Sequence, residues 1–484
     1  MSKKNSSGVV GNLIWKFGER ITAQLVTLVV SIILARILEP SHYGIISLVT
    51  IFITIANVFV SDGFGSALIQ KKDADELDFY SVLYFNIILS IIVYFVLFFT
   101  APFIAEFYGQ GYEILTPVLR VLSLRLIICA INSVQQAYVS RHMIFKKYFW
   151  ATLFGTIVSA IVGIIMAYNG FGVWALVGQY LTNTFIDTIV LNASLRLKPK
   201  LIFSFERIKQ LVPYGAGILG TKLLITGYQE IRALLIGKVY SSSDLAFYDK
   251  GKQFPNLLVA NIDSSISAVL FPKLSKEQDD KNKIRTSTRM SMRFSSYIMS
   301  PMMLGLAAVS GTFVKVVLTE KWMPCVPLLR LFCIVYLFMP IHSANMQAIK
   351  AIGRSDIYLK LEIIKKVIEL IALIIAIHIS VEAIVVSMAV LTVLFTFVNA
   401  IPNAKLFNYR ARDQISDILP SVVMASVMSA AVYTVGLIIP NSSFLSLIIQ
   451  ILIGGGIYLF LSKISNNKEY AFIVNHIRSF VTHK

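Results

Sequence analysis

Fourteen apolar stretches follow one another along the 484 residues, separated by short polar gaps. A helix needs about 20 apolar residues to cross a bilayer. At about 35 residues per stretch, each repeat of the pattern holds one span and one connection. The expected spans are 12–37, 42–64, 80–106, 113–138, 147–168, 172–195, 208–238, 244–270, 288–316, 323–348, 356–378, 381–404, 415–439 and 442–463. The pattern predicts an all-α, polytopic membrane protein.

Polar residues inside the spans recur at helical steps. The first span carries Lys16, Arg20, Gln24, Thr27 and Ser31, and the second Ser47, Thr50, Thr54, Asn57 and Ser61. The seventh carries Lys222, Thr226 and Gln229, with Arg232 beyond them. The eighth carries Asp249, Gln253, Asn256 and Asp263, with Lys250 and Lys252 beside them. Steps of three and four place each set on one stripe of a helix. Ser and Thr stripes also serve ordinary helix packing in membranes. A cation at the bilayer centre costs about 2.5–3.5 kcal/mol and turns toward a partner or water. Lys16, Arg20 and Lys222 therefore point to a polar cavity, although Lys16 and Lys252 also fit snorkelling to an interface.

Composition changes this picture little. The hydrophobic fraction is 56%, the mean hydropathy +0.73 and the charged fraction 14%, yet the net charge is +18. In a soluble protein such an excess would suggest nucleic acid. Here 29 of the 44 Lys and Arg fall in alternate gaps or the two termini, as cytoplasmic loops require. Both termini are expected in the cytoplasm, and the polar start is read as a retained tail rather than a signal peptide. Of the 15 remaining cations, eight belong to the first, seventh and eighth spans or their ends.

A weak repeat relates the two halves. PVLRVL at 117–122 resembles PLLRLF at 327–332, and Gln136-Ala137 resembles Gln347-Ala348. The implied organisation is a six-helix bundle at 1–200, a second at 201–406, two further helices at 407–465 and an amphipathic tail at 466–484. Six helices per repeat give both halves one orientation, with a cavity at their seam. The repeat-related Arg120 and Arg330 suit a structural role. Phe472, Ile473, Ile477, Phe480 and Val481 share one face of the tail, which suits a helix lying on the inner leaflet.

Three acidic residues are candidates for ion coupling: Glu369, with Asp62 and Asp187 behind it. Glu369 shares its span with Glu362, Lys365 and Lys366, and pairing of Glu362 with Lys366 and Lys365 with Glu369 at i,i+4 would neutralise the set. Pro213, Gly215, Gly217, Gly220 and Gly227 crowd the seventh span and suit either a hinge or a close neighbour. The sequence has no phosphate-binding GxxxxGK[ST] loop, no HExxH and no paired Cys/His spacing. No outward loop is long enough for a catalytic domain. No cofactor, metal or catalytic residue is expected, which argues against a glycan polymerase or ligase.

Several motifs together carry a resemblance. They include LARILEPSHYG at 34–44, DGFGSALIQKKD at 62–73, SRHMIFKK at 140–147 and GFGVWALVGQYL at 170–181. LIGKVYSSSDLAFYDKGKQFPNLL at 235–258, LFPKLS at 270–275, EKWMPCVPLLRLF at 320–332 and AIGRSD at 351–356 continue the series. In this order they resemble the Wzx-type polysaccharide flippases of the multidrug/oligosaccharidyl-lipid/polysaccharide exporter superfamily. One departure is that Ala246 and Phe247 precede Tyr248, where the family often has glycine before the tyrosine.

The resemblance implies a twelve-helix core plus two helices in the bacterial cytoplasmic membrane. It also implies alternating-access flipping of undecaprenyl-diphosphate-linked oligosaccharide repeat units for O-antigen, capsule or exopolysaccharide. Membrane lipid and polysaccharide polymerase or assembly proteins would be its partners, not nucleic acid. Lys16, Arg20, Lys222 and Arg232 would attract the diphosphate, with Lys250 and Lys252 adding to them. Gln24, Asn57, Gln229 and Asn256 would face sugar. The rival functions are a peptidoglycan-precursor flippase, a drug or cation antiporter, and a non-transporting scaffold. A cation exporter calls for an acidic cavity, whereas the excess here is basic.

Overall fold

The computed structural model describes residues 18, 22–196, 200–439 and 443–482. These residues are helical nearly throughout and contain no strand. Packing divides the chain into two units, the first ending at Ala246 and the second starting at Phe247.

The first unit holds α1 (Thr22–Ile37), α2 (Pro40–Asn57), a π-helical turn (Val58–Asp62) and α3 (Gly63–Gln70). After these come α4 (Glu76–Tyr108), α5 (Leu115–Leu122), α6 (Arg125–His142), α7 (Phe145–Tyr168), α8 (Val173–Leu195) and α9 (Phe205–Val239). The start of α4 shows how charge organises the basic side of this unit. Asp75 caps the helix by accepting from the Asp78 N–H at 3.0 Å, and Asp78 accepts from the Asp75 N–H at 3.1 Å. The Asp78 side chain is fully buried, a position a carboxylate holds only when paired. Lys71 at 2.7 Å and Arg207 at 3.6 Å supply that pairing. Arg141 donates to the carbonyls of Leu68 at 3.1 Å and Lys72 at 2.6 Å. These contacts tie the ends of α3, α4, α6 and α9 together.

Small residues decide where helices approach most closely. A Cβ on Gly44 of α2 would lie 1.7 Å from the Ser242 carbonyl oxygen. One on Gly237 of α9 would lie 2.4 Å from a Leu48 methyl. Gly155 on α7 faces the Asn183 carbonyl and the Asp187 side chain on α8. Gly215 of α9 lies against the Gly63 backbone, whereas Gly217, Gly220 and Gly227 face open space. Of the two readings of this glycine-rich span, close approach applies at Gly215.

α10 (Ser242–Lys276) crosses the boundary between the units, and α11 (Lys281–Val317), α12 (Cys325–Leu337), α13 (Met339–Ala351) and α14 (Ser355–Ala376) follow. α15 (Val381–Phe407), α16 (Ala411–Ile438), α17 (Phe444–Ile464) and α18 (Lys468–Thr482) complete the second unit. Its long helices α11 and α16 pack along each other, joined by an ion pair from Arg289 to Asp417. Reciprocal amide hydrogen bonds link Asn345 on α13 to Gln414 on α16 at 2.8 and 3.1 Å. The tail does form a helix. Its first turns dock on the unit: Glu469 pairs with Arg293 at 2.7 Å, and the Phe472 ring lies 5.0 Å from that of Phe294.

Among the described residues, ten helical segments are long and apolar enough to cross a membrane. Of the other expected spans, the first is described only over Thr22–Ile37. The remaining three, α8, α9 and α14, carry enough Asn, Asp, Glu and Lys to fall short of that apolarity. Two expected single helices are broken in two. Between α5 and α6, the Ser123 hydroxyl donates to the Leu119 carbonyl at 2.6 Å and competes with the helical ladder. Between α12 and α13, Pro340 supplies no N–H. Large apolar side chains remain exposed along α4 (Ile88, Phe95, Phe99 and Phe103) and α14 (Ile363, Val367 and Ile371). Outward apolar faces of this kind meet lipid in a multi-pass membrane protein.

Candidate functional site

The cations expected at the site are distributed over several helices. Lys16 and Arg20 lie outside the described residues, as does the side chain of Asp62. Gln24 is half-buried on α1. Asn57 ends α2, and its side-chain oxygen accepts from the Ser61 hydroxyl at 3.0 Å across the first residues of the π-turn. A π-turn inserts an extra residue into the helical ladder and is often found at functional positions. Here it packs against α4, α6 and α9.

Lys222 sits at the middle of the 35-residue helix α9. At 1.5 Å per residue it is about 25 Å from either end. Lys222 and Gln229 are exposed and Arg232 is half-buried. Their spacing of seven and three residues keeps them on one face of α9. The Arg232 guanidinium lies 5.5 Å from the Tyr228 ring. Its Nη2 also donates to the Tyr228 hydroxyl at 3.4 Å.

In the second unit, Lys250 and Lys252 do not share a face. Two residues along a helix turn the side chain by about 200°. Lys250 is 5% exposed; it donates to Gln253 at 3.1 Å and lies over the Trp322 ring at 5.6 Å. Its neighbour Gly251 packs against Leu328 and Leu329 on α12. Lys252 is half-buried and Asn256, one turn later on the same face, is exposed. Lys250 thus lies in the interior of the second unit, and Lys252 on a different face of α10.

The acidic candidates lie in two different settings. Glu369 pairs with Lys366 at 3.3 Å, and Glu362 pairs with Lys365. Both pairs are at i,i+3, one residue short of the expected i,i+4, and Lys365 is 8% exposed. The charges of this stretch still neutralise locally. Asp187 accepts from Asn132 at 3.3 Å within a buried polar ladder between α6 and α8. Asn132 also donates to Thr188 at 3.2 Å, and Arg125 to Thr184 at 2.8 Å.

Arg120 and Arg330 have the structural role their repeat positions suggested. Arg120 donates to the Phe98 carbonyl at 3.0 Å, and Arg330 to the Ser310 hydroxyl at 2.9 Å. Sequence reasoning missed two features. The π-turn leaves no compositional mark. The pair of Asn399 with His342 at 2.7 Å joins two helices far apart in sequence, although the polar residues on α13 and α15 were visible as such.

The profile of a family described as "Polysaccharide biosynthesis protein" matches residues 33–327. Among curated relatives, the succinoglycan biosynthesis transport protein ExoT of Rhizobium meliloti is 24% identical over 67% of this chain and 65% of its own length. The teichuronic acid biosynthesis protein TuaB of Bacillus subtilis is 24% identical over 62% of each chain. The lipopolysaccharide biosynthesis protein WzxC of Escherichia coli is 22% identical over 69% of this chain and 68% of its own. The chain thus aligns to less than two thirds of ExoT and TuaB. In fold, it is similar to the lipid II flippase MurJ, with a TM-score of 0.73 at 17% identity over 94% of this chain and 98% of that one. It is also similar to an inward-facing multidrug resistance MATE family transporter, with a TM-score of 0.62 at 16% identity over 79% of this chain and 95% of that one.

Proposed function

Because this chain belongs to the polysaccharide biosynthesis protein family, we propose that it moves a lipid-linked oligosaccharide, carried on undecaprenyl diphosphate, from the inner to the outer leaflet by alternating access. The observation that carries this reading is the placement of Lys222, Gln229 and Arg232 on one face of α9, with Lys222 at mid-helix. A cation held at that depth is costly unless it meets water or an anion. A diphosphate offers concentrated negative charge that Lys and Arg bind directly. The hydroxyl-rich sugar suits the amides of Gln24, Asn57, Gln229 and Asn256. The lipid tail stays in the bilayer, so only phosphate and sugar need a polar path.

On this reading the protein transports and does not catalyse. Both termini and the basic loops lie on the cytoplasmic side of a bacterial inner membrane. Residues 1–200 and 201–406 are the two repeats, with 407–465 and the tail outside them. Polymerase and assembly proteins would receive the product. The basic character of the set disfavours a cation exporter, and the likeness to ExoT, TuaB and WzxC favours an exported polysaccharide over a peptidoglycan precursor.

The test is a double substitution, Arg20→Ala with Lys222→Ala, in cells whose surface polysaccharide depends on this protein. Loss of the polysaccharide with the protein retained in the membrane is expected. Normal polysaccharide in that variant overturns the site.

A further inference from the structure

A groove of about 790 Å³ opens in the first unit, among residues the proposed transport set does not use. Its floor is α6, and its walls are α4 and α8, both of which pack on α6. The lining runs on α4 from Glu76 to Ile87, on α6 from His142 back to Ile128, and on α8 from Ala193 back to Phe185. At 1.5 Å per residue these stretches are about 12–21 Å long. That is comparable to one leaflet of a hydrocarbon core about 30 Å thick. The volume lies within the range of about 300–1,000 Å³ typical of sites that bury an organic ligand.

The chemistry changes along the groove. Its deep end is apolar, with Leu83, Ile87, Ile128, Ile131, Phe185 and Ile189. Its mouth lies on the side of the basic loops and carries Asp75, Glu76, Tyr80, Tyr138 and Asn192. Tyrosines with apolar bodies and polar tips suit the membrane–water boundary. Between the two ends lies Gln135, 2% exposed, with neither amide atom engaged by a hydrogen bond. A buried amide left in this way costs about 1–3 kcal/mol. Seven residues of helix place it about 10 Å below His142 at the mouth. Rotation of this covered side chain into the groove lets its N–H₂ donate to a carbonyl or phosphate-ester oxygen of a bound amphiphile.

Charge selects among amphiphiles. The described lining has two carboxylates and no Lys or Arg. Asp75 is held below its ordinary carboxylate range, first by the Asp78 N–H and also by nearby Arg207 and Lys71, so it is ionised. Beside the two carboxylates stand Arg207, 3.2 Å from Asp75, and Lys200, paired with Glu76. An ammonium group fits the carboxylates, and a phosphate fits the flanking cations. A polyisoprenyl diphosphate suits the flanking cations but offers the carboxylates no ammonium. We propose that this groove binds one zwitterionic glycerophospholipid with a primary-ammonium headgroup, in the leaflet facing the basic loops, its chain along α6 and its ester region at Gln135.

The test uses the purified full-length protein in mixed micelles. A photoactivatable phosphatidylethanolamine is crosslinked and the labelled peptides are mapped by mass spectrometry. Labelling of α4, α6 and α8 peptides is expected, with about a fivefold loss in Gln135→Leu, the equivalent of one hydrogen bond near 1 kcal/mol. Ala193→Trp fills the exposed mouth without touching the buried amide, and it should abolish the labelling even if Gln135→Leu fails to fold. Matching phosphatidylglycerol and polyisoprenyl diphosphate probes should label these peptides weakly. Equal labelling by either anionic probe, or labelling unchanged in both variants, overturns the proposal. The readout is lipid occupancy, so it stands or falls separately from transport.

Discussion

Arg289 and Asp417 form a pair whose two members are unequally covered, so removing one differs from removing the other. The Asp417 side chain is 5% exposed and the Arg289 side chain 40% exposed. Arg289 donates from Nε and Nη2 to the two carboxylate oxygens at 2.7 Å each, and the Tyr409 hydroxyl donates to the same carboxylate at 2.8 Å. Arg289→Ala leaves a buried carboxylate with one neutral donor. Breaking a buried pair costs about 3–5 kcal/mol, and the partial exposure of the arginine places this case near the lower end, about 3 kcal/mol. Asp417→Asn removes the charge but keeps an oxygen for Tyr409, and leaves an arginine that reaches solvent. Its cost should be about 1 kcal/mol. The difference of about 2 kcal/mol corresponds to about 4–8 °C in thermal midpoint for a unit of this size. Thermal unfolding of the purified protein in one detergent, at a fixed scan rate, measures it. Equal midpoints, or a less stable Asp417→Asn, would refute the claim that burial of the carboxylate, not the contact itself, sets the cost.

Three further predictions concern other parts of the molecule. Gly44→Ala places a Cβ 1.7 Å from a backbone oxygen and should cost about 3 kcal/mol, the upper end for overpacking; Gly217→Ala, which meets open space, should instead stabilise by about 0.4–1 kcal/mol, and unfolding of the two variants distinguishes the sites. If Glu369 couples transport to an ion, Glu369→Gln should reduce gradient-driven flipping in proteoliposomes about tenfold, a coupling of about 1.4 kcal/mol, and unchanged ion dependence removes Glu369 from that role. Because the folded-state pKa of Asp75 lies below its ordinary value of 3.8, its contribution is complete above that value and is lost as pH falls through the folded pKa. The midpoint difference between the protein and its Asp75→Asn variant should therefore be constant near neutral pH and close in acid, and a difference that grows in acid would contradict the assigned cap.

The sequence by itself determined the solvent, the helical class and the superfamily-level fold. Hydropathy adds along the chain, so a run such as Glu76–Tyr108 or Val381–Phe407 declares a membrane helix without knowledge of its neighbours. Helical periodicity also placed Lys222, Thr226 and Gln229 on one face, because that relation is local. Periodicity fixes which residues share a face but not what the face meets. Only the tertiary structure turned Lys250 inward over Trp322, chose i,i+3 over i,i+4 pairing around Lys365, and set Gly215 against Gly63. It alone showed the π-turn at Val58–Asp62 and the groove built from three helices. Those features depend on packing between segments up to a hundred or more positions apart in the chain. The energies that decide them are short-ranged in space, and the linear pattern does not encode which distant residues become neighbours.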